Sequence, residues 1–177
     1  SQPAQADPVL FRPVPAAPAG GNQFTFQLPY SPAMTAANHY LLVDDFPDST
    51  SNAGAIGTGY INLNTTTTKS EMFWVAAPDS HFGDVFSSCR IRSHMIVNGP
   101  GTTPVYLVVK QGGTQNDGAV VNVNSIYRTE YQRVMPVNPI TSLPWTGEEL
   151  ENGIIIGIKN TPATFGVGFG DIALECE

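Results

Sequence analysis

Short apolar runs broken by clusters of turn-forming residues constrain this chain more than any other feature. VFSSCRIRSHMIV (85–97) ends in NGPGTT, and PVYLVVK (104–110) ends in QGGTQNDG (111–118). AVVNV (119–123) and YRTEYQRVM (127–135) follow, before PVNPITSLPW. Seventeen glycines and fifteen prolines, with many Thr and Asn, set this rhythm. Gly and Pro stop helices and start turns, whereas β-branched and aromatic residues suit a pleated surface. The pattern predicts an all-β protein of about eight to ten strands. Long loops between strands favour a two-sheet antiparallel sandwich of jelly-roll type. The best helical turn is TGEELENG (146–153), where Thr146 can cap and Glu149 stands three residues on. SPAMTAANHYLL (31–42) offers a weaker one.

CRIRSHMIV (89–97) alternates with period two. Cys89, Ile91, Met95 and Val97 share one face with Ser93, and Arg90, Arg92 and His94 line the other with Ile96. The row of cationic groups has three readings: a solvated face, an ion-pairing seam against acidic loops of this chain or another copy, or an RNA or catalytic site. Residues 85–97 and 104–110 are expected to form a hairpin across the Asn-Gly turn cluster. Near the C-terminus, Phe165, Val167 and Phe169 share a face, then the apolar phase moves to Ile172 and Leu174, which predicts a bulge. Met72–Val75, Val105–Val109 and Ile154–Ile156 are apolar on both faces. A lone sandwich needs polar outer faces, so a partner subunit is the expected cover.

At 177 residues the chain suits one domain. Eight Lys+Arg against fifteen Asp+Glu leave a net charge of −7. Arg12, Lys69, Lys110, Arg128, Arg133 and Lys159 are scattered, so nucleic-acid contact is expected to be weak or absent. No apolar run has the length of a membrane span, and the first ten residues do not read as a signal peptide. Cys89 and Cys176 lack metal-type spacing and read as two buried thiols, not bonded to each other, because Cys176 lies next to the chain end.

No constellation for catalysis emerges. Asp79, Ser80, His81 and Asp84 in PDSHFGD are too close in sequence for a Ser–His relay and read as a polar loop. Asp44, Asp45 and Asp48 could hold a hard cation such as Ca²⁺, but their spacing is not that of a calcium loop, and His39 reads as structural. GVGFGD (166–171) has neither the Lys nor the following helix of a phosphate loop. Asn64-Thr65-Thr66 is a glycosylation sequon. The expectation is a protein with no enzymatic activity, no metal and no cofactor. Residues 1–21, with five prolines, read as an extended arm unable to sit inside a sheet, followed by a sandwich domain at 22–177. Val9, Leu10 and Phe11 are the arm's sticky spot for a neighbour.

FTFQLPY (24–30), CRIRSHMIVNGPGTTPVYLVVK (89–110) and the Pro-rich arm carry a resemblance across the chain. It resembles coat proteins of small icosahedral picorna-like RNA viruses, such as comoviruses, dicistroviruses and iflaviruses. The first motif is similar to a strand exit, the second to paired central strands, and the arm to arms that clamp neighbours. The resemblance implies a capsid subunit of the virion that assembles with copies of itself or other coat subunits. It also implies a surface for host attachment. Val9, Leu10, Phe11, Arg90, Arg92 and His94 are the interface candidates. The alternative is an extracellular carbohydrate-binding sandwich, with Trp74, Tyr106, Trp145 or Tyr131 as stacking platforms and a glycan as partner.

Overall fold

A computed structural model of the protein describes residues 8–14, 61–63, 68, 70–97, 99–125, 129–169 and 172–177. The expected strand at 22–30, the helix at 31–42, His39, the Asp44/Asp45/Asp48 group and the sequon Asn64 lie outside them. Among the described residues, thirteen strands and one short helix follow in order: β1 (Val9–Val14), β2 (Ile61–Leu63), β3 (Ser70–Ala76), β4 (Val85–Phe86), β5 (Cys89–Val97), β6 (Thr102–Gln111) and β7 (Thr114–Asn116). Then come β8 (Val120–Asn124), β9 (Thr129–Met135), β10 (Trp145–Thr146), α1 (Gly147–Gly153), β11 (Ile155–Asn160), β12 (Val167–Phe169) and β13 (Ala173–Cys176).

These build the expected two-sheet antiparallel sandwich. In the first sheet β5 is central, with β9 on one side and β12 and β13 end to end on the other. In the second, β11 lies between β3 and β6, and β6 pairs β7 and β8 end to end. β4 and β10 form a small separate ladder. Phe73, Ile91, Met95, Leu107, Ile156 and Phe169 meet in one core between the sheets. Each contributes roughly 1.5–3 kcal/mol relative to exposure.

The hairpin expected of β5 and β6 does not form: β5 belongs to the first sheet and β6 to the second. Each has one largely apolar face, with Ile91 and Met95 on one strand and Leu107 and Val109 on the other, and these side chains enter the core. Facing each other across the sandwich buries both sets. Pairing edge to edge would have placed them on one side of a single sheet.

The Pro-rich segment is also corrected, since Val9–Val14 is a strand of this chain's own sandwich. Val9–Phe11 pair with β13 and Arg12–Val14 with β3, so β1 joins the two sheets. Pro13 is tolerated because this half of β1 is the edge of the second sheet, where a missing N–H breaks no inner ladder.

Cys89 and Cys176 are not free thiols. They form a disulfide, directly opposite one another on β5 and β13. Proximity to the chain end does not separate them, because the last strand runs back along β5. Both sulfurs point inward, fully buried as expected.

The outer face of the second sheet is closed within the single chain. Met72, Val108 and Ile155 form a second buried apolar cluster, with Trp74 and Tyr106 partly buried against it. The partner cover expected for these two-faced strands is therefore not required.

The bulge read at the C-terminus is present. Phe169 faces Met95 and Ala173 faces Arg92, so four steps on one strand match three on the other. β7 and β8 repeat the device against β6, since Asn116 faces Val109 and Val120 faces Tyr106. Gly118 supplies the positive φ of 70° there. Arg133 reaches this bulge from β9 and donates to the carbonyls of Leu107 (2.7 Å) and Asn116 (3.0 Å).

The capping box of α1 forms as the sequence indicates, with the Glu149 N–H donating to Thr146 Oγ1 at 3.3 Å. α1 ends at Gly153, whose φ of 118° and close approach to the Trp74 ring leave no room for a Cβ. Trp145 is buried, with its indole N–H donated to the Met135 carbonyl (3.1 Å).

Candidate functional site

The outward face of the first sheet gathers the cationic row of β5. Arg90 Nε donates to Glu175 Oε1 at 3.0 Å. Arg92 forks onto Glu130, with Nε to Oε1 at 3.1 Å and Nη2 to Oε2 at 2.7 Å, and its Nη1 bonds Glu175. His94 Nε2 lies 3.7 Å from Glu130 Oε2. Pairing places these groups: Arg90 sits opposite Glu175 of β13, and His94 opposite Glu130 of β9. The result is an alternating row, Arg90–Glu175–Arg92–Glu130–His94.

Its electrostatics follow from the contacts. The Arg92 hydrogen bond holds the Glu130 carboxyl below the ordinary carboxylate range, against the upward push of partial burial. For Glu175, desolvation is the largest single influence and pushes upward, but the bonds from Arg90 and Arg92 outweigh it and the net direction is down. Arg92 is held more firmly protonated, chiefly by Glu130. Two guanidinium charges thus meet two carboxylates. A row balanced in this way offers little to a phosphate backbone. The seam reading is the one realised, but its carboxylates come from neighbouring strands of the same chain, not from acidic loops.

The arm's apolar anchor also turns inward. Phe11 is fully buried, edge-on to His81 and Phe86 with ring centroids 5.9 and 6.2 Å apart. Val9 packs on the same core, and Leu10 is half-buried. Of the four aromatic platforms, Trp145 is buried, and the half-buried Tyr131 accepts the Asn124 N–H at 2.9 Å. Trp74 and Tyr106 remain partly accessible, with the Lys159 ammonium 5.5 Å from the Tyr106 ring centre.

The end of the sandwich beside the disulfide holds a cleft of about 460 Å³. Val9, Val85 and Phe86 form its apolar walls, and His81, Asp84 and Glu177 its polar rim. His81 Nδ1 lies 2.8 Å from Asp84 Oδ2. Ser80 Oγ accepts the Phe82 N–H at 3.4 Å, so the loop PDSHFGD pairs His81 with Asp84 instead of with a serine. Among the described residues, no group of three or more His, Cys, Asp or Glu is placed to hold a metal ion. No helix among them is long and apolar enough to cross a membrane.

Reasoning from sequence did not find Glu130, Glu175 or the cleft. One signal was present: Cys89-Arg90 and Glu175-Cys176 mirror each other. In antiparallel register they set sulfur against sulfur and cation against anion together.

No family model matches the chain, and no curated protein does. Among solved structures, the CBM22-1–GH10 modules of Clostridium thermocellum endo-1,4-β-D-xylanase 10B, complexed with xylohexaose, align with a TM-score of 0.39 at 15% identity. That alignment covers 67% of this chain and 26% of the xylanase, so the chain spans about a quarter of that protein. The CBM22-1 xylan-binding domain of Paenibacillus barcinonensis Xyn10C aligns with a TM-score of 0.38 at 8% identity, over 67% of this chain and 86% of that one. The enzymatically active domain of bacteriophage CBA120 tailspike protein 4 aligns with a TM-score of 0.33 at 11% identity, over 84% and 24%.

Proposed function

We propose that the chain is a non-enzymatic structural subunit that associates with copies of itself or other coat subunits in the shell of a small icosahedral virus particle. One observation carries this reading: large apolar side chains stand open to water at one end of the sandwich. Val85 is 70% and Leu143 62% exposed, and Phe82, Val134 and Val137 are exposed too. They belong to β4 and the loop before it, the end of β9 and the segment leading to β10. These meet because Val85 faces Thr146 and Met135 faces Cys89. Apolar surface gathered in this way suits an interface. The disulfide suits a particle that persists outside the reducing cytosol. Val9–Val14, the cationic row and the two-faced strands are engaged within the chain, so among the described residues this end is the best candidate for the contact surface.

Sedimentation velocity over a concentration series tests the proposal. The full chain is expected to associate, and the Val137→Asp, Leu143→Asp double variant to stay monomeric. A full chain that remains monomeric at the highest concentration overturns it. The second reading, a carbohydrate-binding module, then takes its place. It is favoured by Trp74 and Tyr106, partly open on the outer face of the second sheet. It predicts that a neutral oligosaccharide quenches tryptophan fluorescence and that Trp74→Ala removes the response.

A further inference from the structure

We propose that the cleft beside the disulfide binds a primary organic ammonium ion carried on an apolar body. The proposal concerns the free subunit, because Val85 lines the cleft and also belongs to the proposed contact surface.

Acceptors converge in this cleft without a competing cation. The Asp84 and Glu177 carboxylates stand at its rim, and among the described residues no Lys or Arg lines it. In the tautomer that donates Nδ1–H to Asp84, His81 presents the lone pair of Nε2 as an acceptor. The edge-on contact with Phe11 and the tilted contact with Phe86 hold the ring. An ammonium group has three donors and no acceptor, the complement of an imidazole lone pair and two carboxylates. An anion would be repelled by the same carboxylates. A neutral alcohol could use an acceptor but would gain nothing from the charges.

The walls select the rest of the ligand. Val9, Val85 and Phe86 present an apolar surface, and the exposed Val85 loses water contact when a ring or alkyl chain lies against it. A volume near 460 Å³ lies within the usual range of small-molecule sites and admits a single aromatic ring with its amine.

His81 is fixed from its own loop and from α1 as well, since Asp84 pairs with its Nδ1 and Glu151 accepts its backbone N–H.

The test is a ¹H–¹⁵N NMR titration of the full chain with benzylammonium chloride, with benzyl alcohol as the neutral isostere. Amide shifts are expected at His81–Phe86 and Glu177, with binding by the alcohol at least about tenfold weaker. Asp84→Asn should weaken benzylammonium about tenfold. Val85→Arg, at an exposed position the fold tolerates, puts a cation inside the cleft and should abolish binding. Absence of shifts, equal binding of the alcohol, or undiminished binding to Val85→Arg overturns the proposal.

Discussion

On the first sheet, the outward side of β5 carries Arg90, Arg92 and His94, and the strands on either side answer with Glu175 and Glu130. On the second sheet, the outward positions of β3, β6 and β11 carry Met72, Val108 and Ile155, all buried. The first face keeps its water and settles charge against charge. The second is closed like a core around these three, with Trp74 and Tyr106 partly open beside them and the Lys159–Asp117 pair at its margin. The difference shows that outward position on a sandwich does not by itself mean solvent. It also separates two kinds of energy: partly exposed ion pairs are individually weak, whereas sealed apolar contacts carry large penalties for intrusion.

The sharpest way to break the contrast is to place one charge on each face. Val108→Asp should destabilise the protein by about 3–5 kcal/mol, because an unpaired carboxylate would be buried. Ile96→Asp, on the outward side of β5, should cost clearly less. Urea denaturation of both variants checks this, and equal losses would erase the distinction between the faces.

Next in size is the disulfide, which ties the ionic sheet together behind its outward row. The bond spans 87 residues, so removing it by Cys89→Ala plus Cys176→Ala should cost about 2–5 kcal/mol. Thermal unfolding with and without reductant should show a matching drop for the parent chain and no change for the variant. Insensitivity of the parent to full reduction would mean that the strand pairing alone secures this sheet.

What could be read in the sequence was local. The alternation of CRIRSHMIV, the Thr146–Glu149 box and the phase shift after Phe169 each lie within one element and its neighbours, and each is present in the structure. What could not be read was pairing. Glu130 is 38 residues from Arg92, Glu175 is 85 from Arg90, and Cys176 is 87 from Cys89. Period-two patterning tells which face a residue takes but not which strand lies beside it. The Asn-Gly turn cluster therefore suggested a hairpin where the chain crosses between sheets. The prolines hid a strand because Pro is excluded only from inner positions, and Pro13 sits on an edge. The cleft was illegible for the same reason, since Val9, His81 and Glu177 come from three distant segments.

The ionic face can be sharpened by removing its most buried carboxylate. Glu175 has only 11% of its side chain exposed and serves both arginines. Glu175→Gln should cost about 1–3 kcal/mol at neutral pH, reduced toward the lower end by the partial exposure of Arg90 and Arg92. The sign with pH follows from the depressed carboxyls of Glu130 and Glu175. A lowered folded pKa gives stability that is fully present above the unfolded value and is lost as pH falls through the folded one. The parent should thus lose stability in acid below about pH 4, where ordinary carboxylates begin to protonate. The gap between parent and Glu175→Gln should narrow over the same window, because a protonated Glu resembles Gln. A gap that stays constant into strong acid would show that Glu175 acts through packing and not through charge.

The smallest effect is expected at the end of the row. His94 Nε2 lies 3.7 Å from Glu130 Oε2, beyond a good hydrogen bond, while Glu130 is already held in a fork by Arg92. The His94–Glu130 pair is also about a quarter to a third exposed, so solvent screens it. A double-mutant cycle with His94→Gln and Glu130→Gln should return a coupling of about 0–0.5 kcal/mol near neutral pH. The corresponding cycle for Arg92 and Glu130 should return about 1 kcal/mol or more, as a bidentate charged pair warrants. A His94 coupling equal to that of Arg92 would make the row a single cooperative unit. The first face would then be held together as tightly as the sealed one, by charge in place of apolar contact.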